Sequence, residues 1–389
     1  MTWLNPSVPL YLRRIPAFLF ILTLSLVPAA KAQAPSPERA VALERDGRLP
    51  DAEQEWRAWL ASNPKDAAAF ASLGVVLSKQ SKFEDAATAY RKAIALDAKL
   101  PGIQLNLGIA EFRQGKLQAA ISPFRAALTA DPHSMQANTL LGLSYYGTGQ
   151  FEKASEHLTV ASAADPQNVE LHNVLAQSCL SAKKFDCALR EFTWIQKQNP
   201  DSASAHMLMG EALDGLKRTD DAIAEFQLAA KVDPRASNVY FGLGFLYWKT
   251  GRYDEAASYF EQQLSIDPEN PEALTYLGDV ELKRNNFEKA RALLARAVSL
   301  RQDLRFAYLD LGSVYTELHR YDEALAALQH AEKLGPNQID VHFRLGTLYK
   351  AMGKSEDAKR EFAKIHELQK KAEDDLADRM NSPKPAPQN

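Results

Sequence analysis

Apolar and polar positions along this chain recur with a fixed period. A Leu-Gly pair, or a close equivalent, returns every 34 residues from Leu73-Gly74 to Leu345-Gly346, with no insertion between copies. In each unit the eighth residue is Gly or Ala, the twentieth is Ala, and the twenty-fourth is large and apolar. A period of this length predicts one repeat array in which each unit contacts mainly its neighbours. The number of domains can therefore not be estimated from the length of the chain.

Small and large residues at these fixed positions predict how helices pack within a unit. The small eighth and twentieth residues let two helices cross closely, so Leu in place of Ala256 should overpack the crossing. The large residues at the twenty-fourth position fill the core. These core residues are Trp56, Tyr90, Phe124, Leu158, Phe192, Phe226, Phe260, Leu294, Leu328 and Phe362.

Proline marks where most units end. Asp-Pro or Asn-Pro, as at Asp267-Pro268, stops the second helix, because Pro cannot continue a helix interior. Ala98, Gln302 and Lys370 replace this Pro, so those junctions are less sharply defined. Near Lys370 the helical spacing of apolar residues continues, and we expect the last helix to run past the period with a charged, solvated face.

The unit at 237–270 carries the pattern most completely. Its marker residues are Leu243-Gly244, Tyr247, Gly251, Tyr253-Asp254-Glu255-Ala256, Phe260 and Asp267-Pro268. Here the chain resembles a tetratricopeptide repeat (TPR), whose unit of about 34 residues is a helix, a turn and an antiparallel helix. The resemblance implies an all-α fold, an α-solenoid wound as a right-handed superhelix of about ten helix-turn-helix units, and a protein-interaction scaffold.

The resemblance extends over residues 33–372. The units begin at residues 33, 67, 101, 135, 169, 203, 237, 271, 305 and 339. The first unit matches weakly, with Arg39 where later units have Leu, as expected of a terminal repeat. Beyond the array we expect a C-terminal capping helix at 373–381 and a disordered Pro-rich tail at 382–389.

The first 32 residues depart from the repeat. Arg13 and Arg14 precede an apolar run at 15–27, and Ala30-Lys31-Ala32 then offers an A-x-A cleavage site. The run is shorter than the about 20 apolar residues that span a membrane. We therefore predict a secretory signal peptide at 1–32, cleaved after Ala32, and a periplasmic or secreted protein with no stable membrane insertion. The alternative is an uncleaved N-terminal anchor in the inner membrane.

Charge and motifs argue against several functions. The net charge is −3, and the first 32 residues hold three basic residues and no acid, which leaves −6 for the remainder and disfavours nucleic acid as a partner. We find no Gly-rich phosphate loop and no nucleophile signature, and expect neither catalysis nor a cofactor. His172, His206 and His342 share the fourth position of the first helix. No Cys or carboxylate lies near them at metal-ligand spacing, so they are interpreted as variants of an inter-repeat packing position, not as metal ligands.

Cys179 and Cys187 are the only cysteines, and both lie in the fifth unit. Cys187 takes the nineteenth position, which is charged in eight of the nine other units, so a charge is lost where the second Cys is gained. In an exported protein this favours a disulfide across the helical hairpin. The alternative is two unrelated thiols, one of them buried. A Cα separation within about 7 Å distinguishes the two.

The TPR resemblance also implies a concave groove, lined by the second, fifth, ninth and twelfth positions of the first helices. On this chain those positions are apolar in the third, fourth and seventh units, with acids nearby at equivalent positions. The apolar residues are Leu105, Ile109, Phe112, Leu143, Tyr146, Phe241, Phe245 and Trp248, beside Asn238, and the acids are Glu170, Glu211, Asp214, Glu272 and Asp279. Exposed apolar rows often mark a binding surface.

We therefore predict that the groove binds an apolar, basic-flanked peptide or protein segment. A stripe at i, i+4 and i+7 is also typical of core residues, so Phe241 and Trp248 have packing as an alternative role. For the protein as a whole, the first hypothesis is an exported, non-catalytic scaffold in cell-envelope assembly. The alternative is a membrane-tethered subunit of a polysaccharide or secretion apparatus; Met1 or Gln33 as the mature N-terminus separates the two.

Overall fold

The computed structural model describes residues 34–381, so the predicted signal segment at 1–32 and the tail at 382–389 lie outside the described residues. The chain divides into two compact segments, each made of several repeats; the first segment ends at Ile103 and the second begins at Gln104. Across the described range there are twenty α-helices and no strand. The prediction of an all-α fold of about ten helical hairpins is confirmed.

Each repeat contributes two helices. The first compact segment contains α1 (Pro37–Arg45), α2 (Leu49–Ser62), α3 (Ala67–Lys79) and α4 (Phe83–Leu96). The second contains α5 (Ile103–Arg113), which begins at the boundary, α6 (Leu117–Ala130), α7 (Met135–Gly147), α8 (Phe151–Ala164), α9 (Val169–Ser181), α10 (Phe185–Gln198), α11 (Ala203–Gly215), α12 (Thr219–Val232), α13 (Val239–Lys249), α14 (Tyr253–Ile266), α15 (Pro271–Lys283), α16 (Phe287–Leu300), α17 (Arg305–Glu317), α18 (Tyr321–Leu334), α19 (Ile339–Ala351) and α20 (Ser355–Asn381).

The turn inside each hairpin is built on one left-handed residue. The fifteenth residue of all ten repeats has a positive φ, between 57° and 76°. Five of these residues are Gly, and the others are Ser81, Lys183, Lys217, Asn285 and His319. A left-handed residue ends the first helix and reverses the chain direction, so a short turn suffices to return the second helix along the first.

The predicted small-to-large packing is present. Ala256 and Phe260 are completely buried. A Cβ added to Gly244, at the eighth position, would lie 2.7 Å from Cδ1 of Phe260, at the twenty-fourth. The ring therefore lies directly against the backbone of the first helix, and the small residue is what permits this approach.

Helix boundaries follow from caps and from Pro. Asn270 accepts a hydrogen bond from the Ala273 backbone N–H at 2.9 Å, which caps the first helix of the eighth repeat. Where Lys370 replaces the usual Pro, α20 continues without a break to Asn381. The predicted capping segment is thus the end of a 27-residue helix. None of the helices within 34–381 combines the length and apolar character needed to cross a bilayer.

Candidate functional site

Five aromatic side chains lie in contact along the first helices of the seventh, eighth and ninth repeats. On α13, Phe245 stacks on Phe241 at 6.3 Å and on Trp248 at 5.7 Å between ring centroids. Tyr276 on α15 lies 4.9 Å from Trp248, and Phe306 on α17 lies 5.5 Å from Tyr276. We call these five residues the aromatic ridge. It is continuous because α13, α15 and α17 occupy equivalent places in successive repeats.

The ridge combines packing with exposure. Phe241 lies 5.9 Å from the fully buried Phe260, so its inner side belongs to the core of the seventh repeat. All five side chains are nevertheless only partly buried. Both interpretations of the apolar stripe, core and surface, therefore describe part of these side chains. A partly exposed row of aromatic rings offers a large apolar area with little loss of conformational freedom on binding.

A cavity of about 260 Å³ lies beside the ridge, between α11 and α13. Its walls are mostly apolar, and its polar groups come from two acids and one amide. The lining residues are Met207, Glu211, Asp214, Phe226, Asn238, Phe241, Gly242, Phe245 and Leu246. Concave apolar sites with a few polar groups are typical of ligand sites.

Two acids near the ridge already have cationic partners. Asp214 Oδ1 lies 2.7 Å from Nζ of Lys249 on α13. Asp279 Oδ2 accepts a hydrogen bond from Trp248 Nε1 at 2.6 Å, and its Oδ1 lies 3.3 Å from Nζ of Lys283. These contacts hold Trp248 in place and neutralise both carboxylates.

Asp310 on α17 is a buried acid that the sequence analysis did not identify. Its side chain is completely buried, and neither carboxylate oxygen has a hydrogen-bond partner within the described part of the chain. Burial, and secondarily the charge of Asp279, raise the pKa of Asp310 well above its usual value, although Arg344 and Lys283 oppose the shift. Burial therefore makes Asp310 easier to protonate than an exposed aspartate.

Glu211 on α11 differs from the other acids. Its side chain is exposed, and among residues 34–381 it forms neither an ion pair nor a hydrogen bond. Solvent reaches the side chain, yet the apolar cavity walls displace part of the water around the carboxylate, and this desolvation raises the pKa of Glu211. Glu211 is thus an uncompensated acid in an apolar cavity.

The other apolar residues predicted for the groove lie elsewhere. Leu105, Ile109 and Phe112 on α5, with Leu143 and Tyr146 on α7, are half-buried and pack against a core cluster of the third to sixth repeats. The Tyr146 hydroxyl donates a hydrogen bond to Gln177 Oε1 at 2.6 Å. They do not line the cavity between α11 and α13.

The two remaining predicted acids are not part of the cavity either. Glu170 is exposed on α9, and Glu272 forms an ion pair with Arg301. Of the five acids predicted for the groove, the structure places only Glu211 and Asp214 in the cavity lining. Asp279 does not line the cavity and contacts the ridge through Trp248.

The two cysteines are joined by a disulfide. It links Cys179 on α9 to Cys187 on α10, with the Cα atoms 5.8 Å apart. This covalent bond connects the two helices of the fifth repeat.

The three equivalent histidines each contact a glutamate 19 residues later in the chain, on the second helix of the same repeat. The Nδ1–Oε2 distances are 2.6 Å for His172 and Glu191, 2.7 Å for His206 and Glu225, and 2.8 Å for His342 and Glu361. No group of three or more residues able to hold a metal ion occurs in the described range. The histidines thus join the two helices of one repeat rather than neighbouring repeats, and the recurring 19-residue spacing from His to Glu is the sequence signal of these pairs.

Family models of the tetratricopeptide repeat match most of residues 38–371. The matched segments are 38–101, 72–134, 111–178, 181–239, 218–271, 247–311, 312–353 and 339–371. No curated protein matched the chain.

Solved structures that are similar to this chain include the following three. Cut9-Hcn1, from a hetero-tetramer of the APC/C, is 16% identical with a TM-score of 0.51, covering 85% of this chain and 79% of that chain. Yeast Tom70 is 15% identical with a TM-score of 0.41, covering 85% and 91%. YrrB, described as a TPR protein with an unusual peptide-binding site, is 26% identical with a TM-score of 0.39, covering 46% and 92%. Of these three, the likeness to Cut9-Hcn1 shows a similar fold and nothing further.

Proposed function

The chain belongs to the tetratricopeptide repeat family, and we propose that it is an exported, non-catalytic scaffold that binds a protein or peptide segment along the aromatic ridge. The observation that carries the proposal is the ridge itself, five partly exposed aromatic side chains in contact across three repeats. Apolar rows of this kind are costly to leave in water and often mark interaction surfaces. Repeats occupy residues 33–372, so binding rather than chemistry is the function for which the chain has room.

The surroundings of the ridge favour an apolar segment with basic flanking residues. The ridge offers apolar area, and Glu211, Asp214 and Asp279 contribute acidic groups beside it. A net charge of −6 after residue 32 opposes nucleic-acid binding and favours cationic partners.

Export is proposed from the N-terminal sequence. Arg13 and Arg14, the apolar run at 15–27 and the A-x-A site ending at Ala32 form the layout of a secretory signal. The Cys179–Cys187 disulfide supports this, because disulfides persist mainly in oxidising compartments. N-terminal sequencing of the protein from its host tests the proposal: Gln33 as first residue indicates cleavage and a periplasmic or secreted scaffold, and Met1 indicates a membrane-tethered subunit instead.

Site-specific photo-crosslinking in the native host tests the binding surface. A photo-crosslinking amino acid replaces Phe245 on the ridge or, as a matched control, exposed Val160 on α8, and captured proteins are identified by mass spectrometry. We expect one dominant partner from position 245 only. In a Phe241→Ala/Trp248→Ala variant that keeps its melting temperature, this capture should disappear. Capture from position 160 alone, or capture unaffected by the double substitution, would place the binding surface on another face.

A further inference from the structure

Charge compensation differs among the four acids that lie beside the ridge or its cavity. Asp214 is paired with Lys249, and Asp279 with Lys283 and the Trp248 indole. Asp310 is completely buried, and this burial raises its pKa. Glu211 is the one exposed acid of the four, and among residues 34–381 it has neither a cationic partner nor a hydrogen-bond donor. Within the described residues, the Glu211 carboxylate therefore lacks a compensating positive charge.

The cavity around Glu211 has the size and character of a subsite for one side chain. Its volume of about 260 Å³ is below the range of about 300–1,000 Å³ found for small-molecule pockets. Met207, Phe241, Phe245 and Leu246 supply apolar walls. Lys and Arg carry a long apolar stem that ends in a cation, which matches apolar walls with a carboxylate among them. The ring faces of the two Phe residues also attract a cation.

We propose that this cavity binds one Lys or Arg side chain of the segment that lies on the aromatic ridge, with Glu211 as its counter-ion. The inference rests on the proposed function, since it assigns one subsite of that surface. The basic side chain places its stem against Phe241 and Phe245 and its cation on the Glu211 carboxylate.

An apolar occupant fits the same cavity less well. A Leu or Met side chain would remove water from Glu211 without providing a partner, and a desolvated, unpaired carboxylate is costly. The cavity therefore selects a basic residue by penalising an apolar one as well as by attracting a cation.

Peptide selection tests the assignment. The purified full chain is used to select peptides from a phage-displayed random library, in parallel with Glu211→Gln and with Glu152→Gln, a matched change of an exposed acid on α8. We expect wild-type and Glu152→Gln proteins to select Lys or Arg among apolar residues, and Glu211→Gln to lose that preference. Replacing the selected Lys by norleucine should weaken binding to wild type about tenfold and leave binding to Glu211→Gln nearly unchanged.

Methionine methyl NMR locates the bound peptide. Met207 lines the cavity, and Met352, the C-cap residue of α19, serves as a distant reference. A selected Lys peptide should shift the Met207 methyl signal in wild type and not that of Met352. If selected peptides compete for the crosslink at position 245 but show no basic preference and leave Met207 unmoved, the subsite assignment is wrong and the scaffold function stands. If no selected peptide competes for that crosslink, the ridge proposal fails as well.

Discussion

The fifth and eighth repeats build the same helical hairpin with opposite side-chain chemistry. At the fourth and twenty-third positions, the fifth repeat has the pair His172 and Glu191, 2.6 Å apart between Nδ1 and Oε2. The eighth repeat has Leu274 and Leu293 there, packed in one hydrophobic cluster. Both pairs join the first helix to the second. The residues at the fourth and twenty-third positions must therefore be compatible with each other, and the hairpin accepts either two polar or two apolar residues there.

A second pair of positions also holds chemically different residue pairs in the two repeats. The eleventh and nineteenth residues are Cys179 and Cys187 in the fifth repeat, joined by the disulfide. In the eighth repeat they are Glu281 and Lys289, whose Oε1 and Nζ atoms lie 3.1 Å apart. A covalent bond in one repeat thus takes the place of an ion pair in the other. Cysteine can replace a charged residue here because the geometry of the hairpin already brings the two positions together.

The largest expected effect comes from breaking the polar pair of the fifth repeat. His172→Leu leaves Glu191, which is only 8% exposed, without its imidazole partner. We expect the free energy of opening α9 and α10 to fall by about 3–5 kcal/mol, as measured by amide hydrogen exchange. The double variant His172→Leu/Glu191→Leu, which copies the eighth repeat, should recover most of the loss. A double variant as unstable as the single one would show that matching is not what the hairpin requires.

Reduction of the disulfide should have the next largest effect. Opening the Cys179–Cys187 bond releases the chain-entropy constraint on a short loop, and we expect the fifth repeat to lose about 2–3 kcal/mol of stability. Amide hydrogen exchange of α9 and α10, with and without dithiothreitol, measures this loss of stability. The ion pair of the eighth repeat provides an internal control, because its helices should exchange at an unchanged rate. Equal protection of α9 and α10 under both conditions would contradict the prediction.

Asp310, in the ninth repeat, extends the comparison between buried acids. Glu191 contacts the imidazole of His172, whereas Asp310 has no hydrogen-bond partner in the described part of the chain. Its raised pKa means that the folded protein binds this proton more tightly than the unfolded chain does. The stabilisation is fully present below the unfolded pKa and is lost as pH rises through the folded pKa. Asp310→Asn should therefore be more stable than wild type at neutral pH, by about 1.4 kcal/mol per unit of pKa difference, and similar to it at low pH.

Denaturant titrations of the wild type and the Asp310→Asn variant across pH measure this difference. The matched substitution Glu191→Gln in the fifth repeat should not stabilise the protein at neutral pH, since Glu191 already has the His172 imidazole as a partner. A stability difference between Asp310→Asn and wild type that does not depend on pH would contradict the titration of Asp310.

The smallest expected effect concerns the hairpin turns. The left-handed position is Lys183 in the fifth repeat, with φ 57°, and Asn285 in the eighth, with φ 62°. Asn tolerates this conformation better than Lys, because its short side chain bonds locally to the backbone. Lys183→Asn should raise the unfolding free energy by about 0.5 kcal/mol, and Asn285→Lys should lower it by a similar amount, as measured by chemical denaturation. Changes of the same sign in both variants would rule out this explanation.

Much of the fold could be predicted from individual positions. The Ala256–Phe260 pattern, the Pro stops and the Cys179/Cys187 pair each depend on residues of a single repeat. The 19-residue spacing from His172 to Glu191 was equally visible in the sequence, and it recurs at His206 and His342. The shared fourth position predicts packing between repeats, whereas the structure pairs each His with a Glu of its own repeat. A cross-helix pair within one repeat requires no knowledge of how the repeats stack.

The sequence by itself determined the period, the helical hairpins and the small and large residues that pack them, because these depend on contacts inside one repeat. The tertiary structure decided where the ridge and the cavity lie and which nearby acids have a cationic partner. Trp248 meets Asp279, and Lys249 meets Asp214, across 31 and 35 residues of sequence. Such contacts form only when neighbouring repeats stack, so the stacking determines which carboxylates find a cation and which, like Glu211, do not.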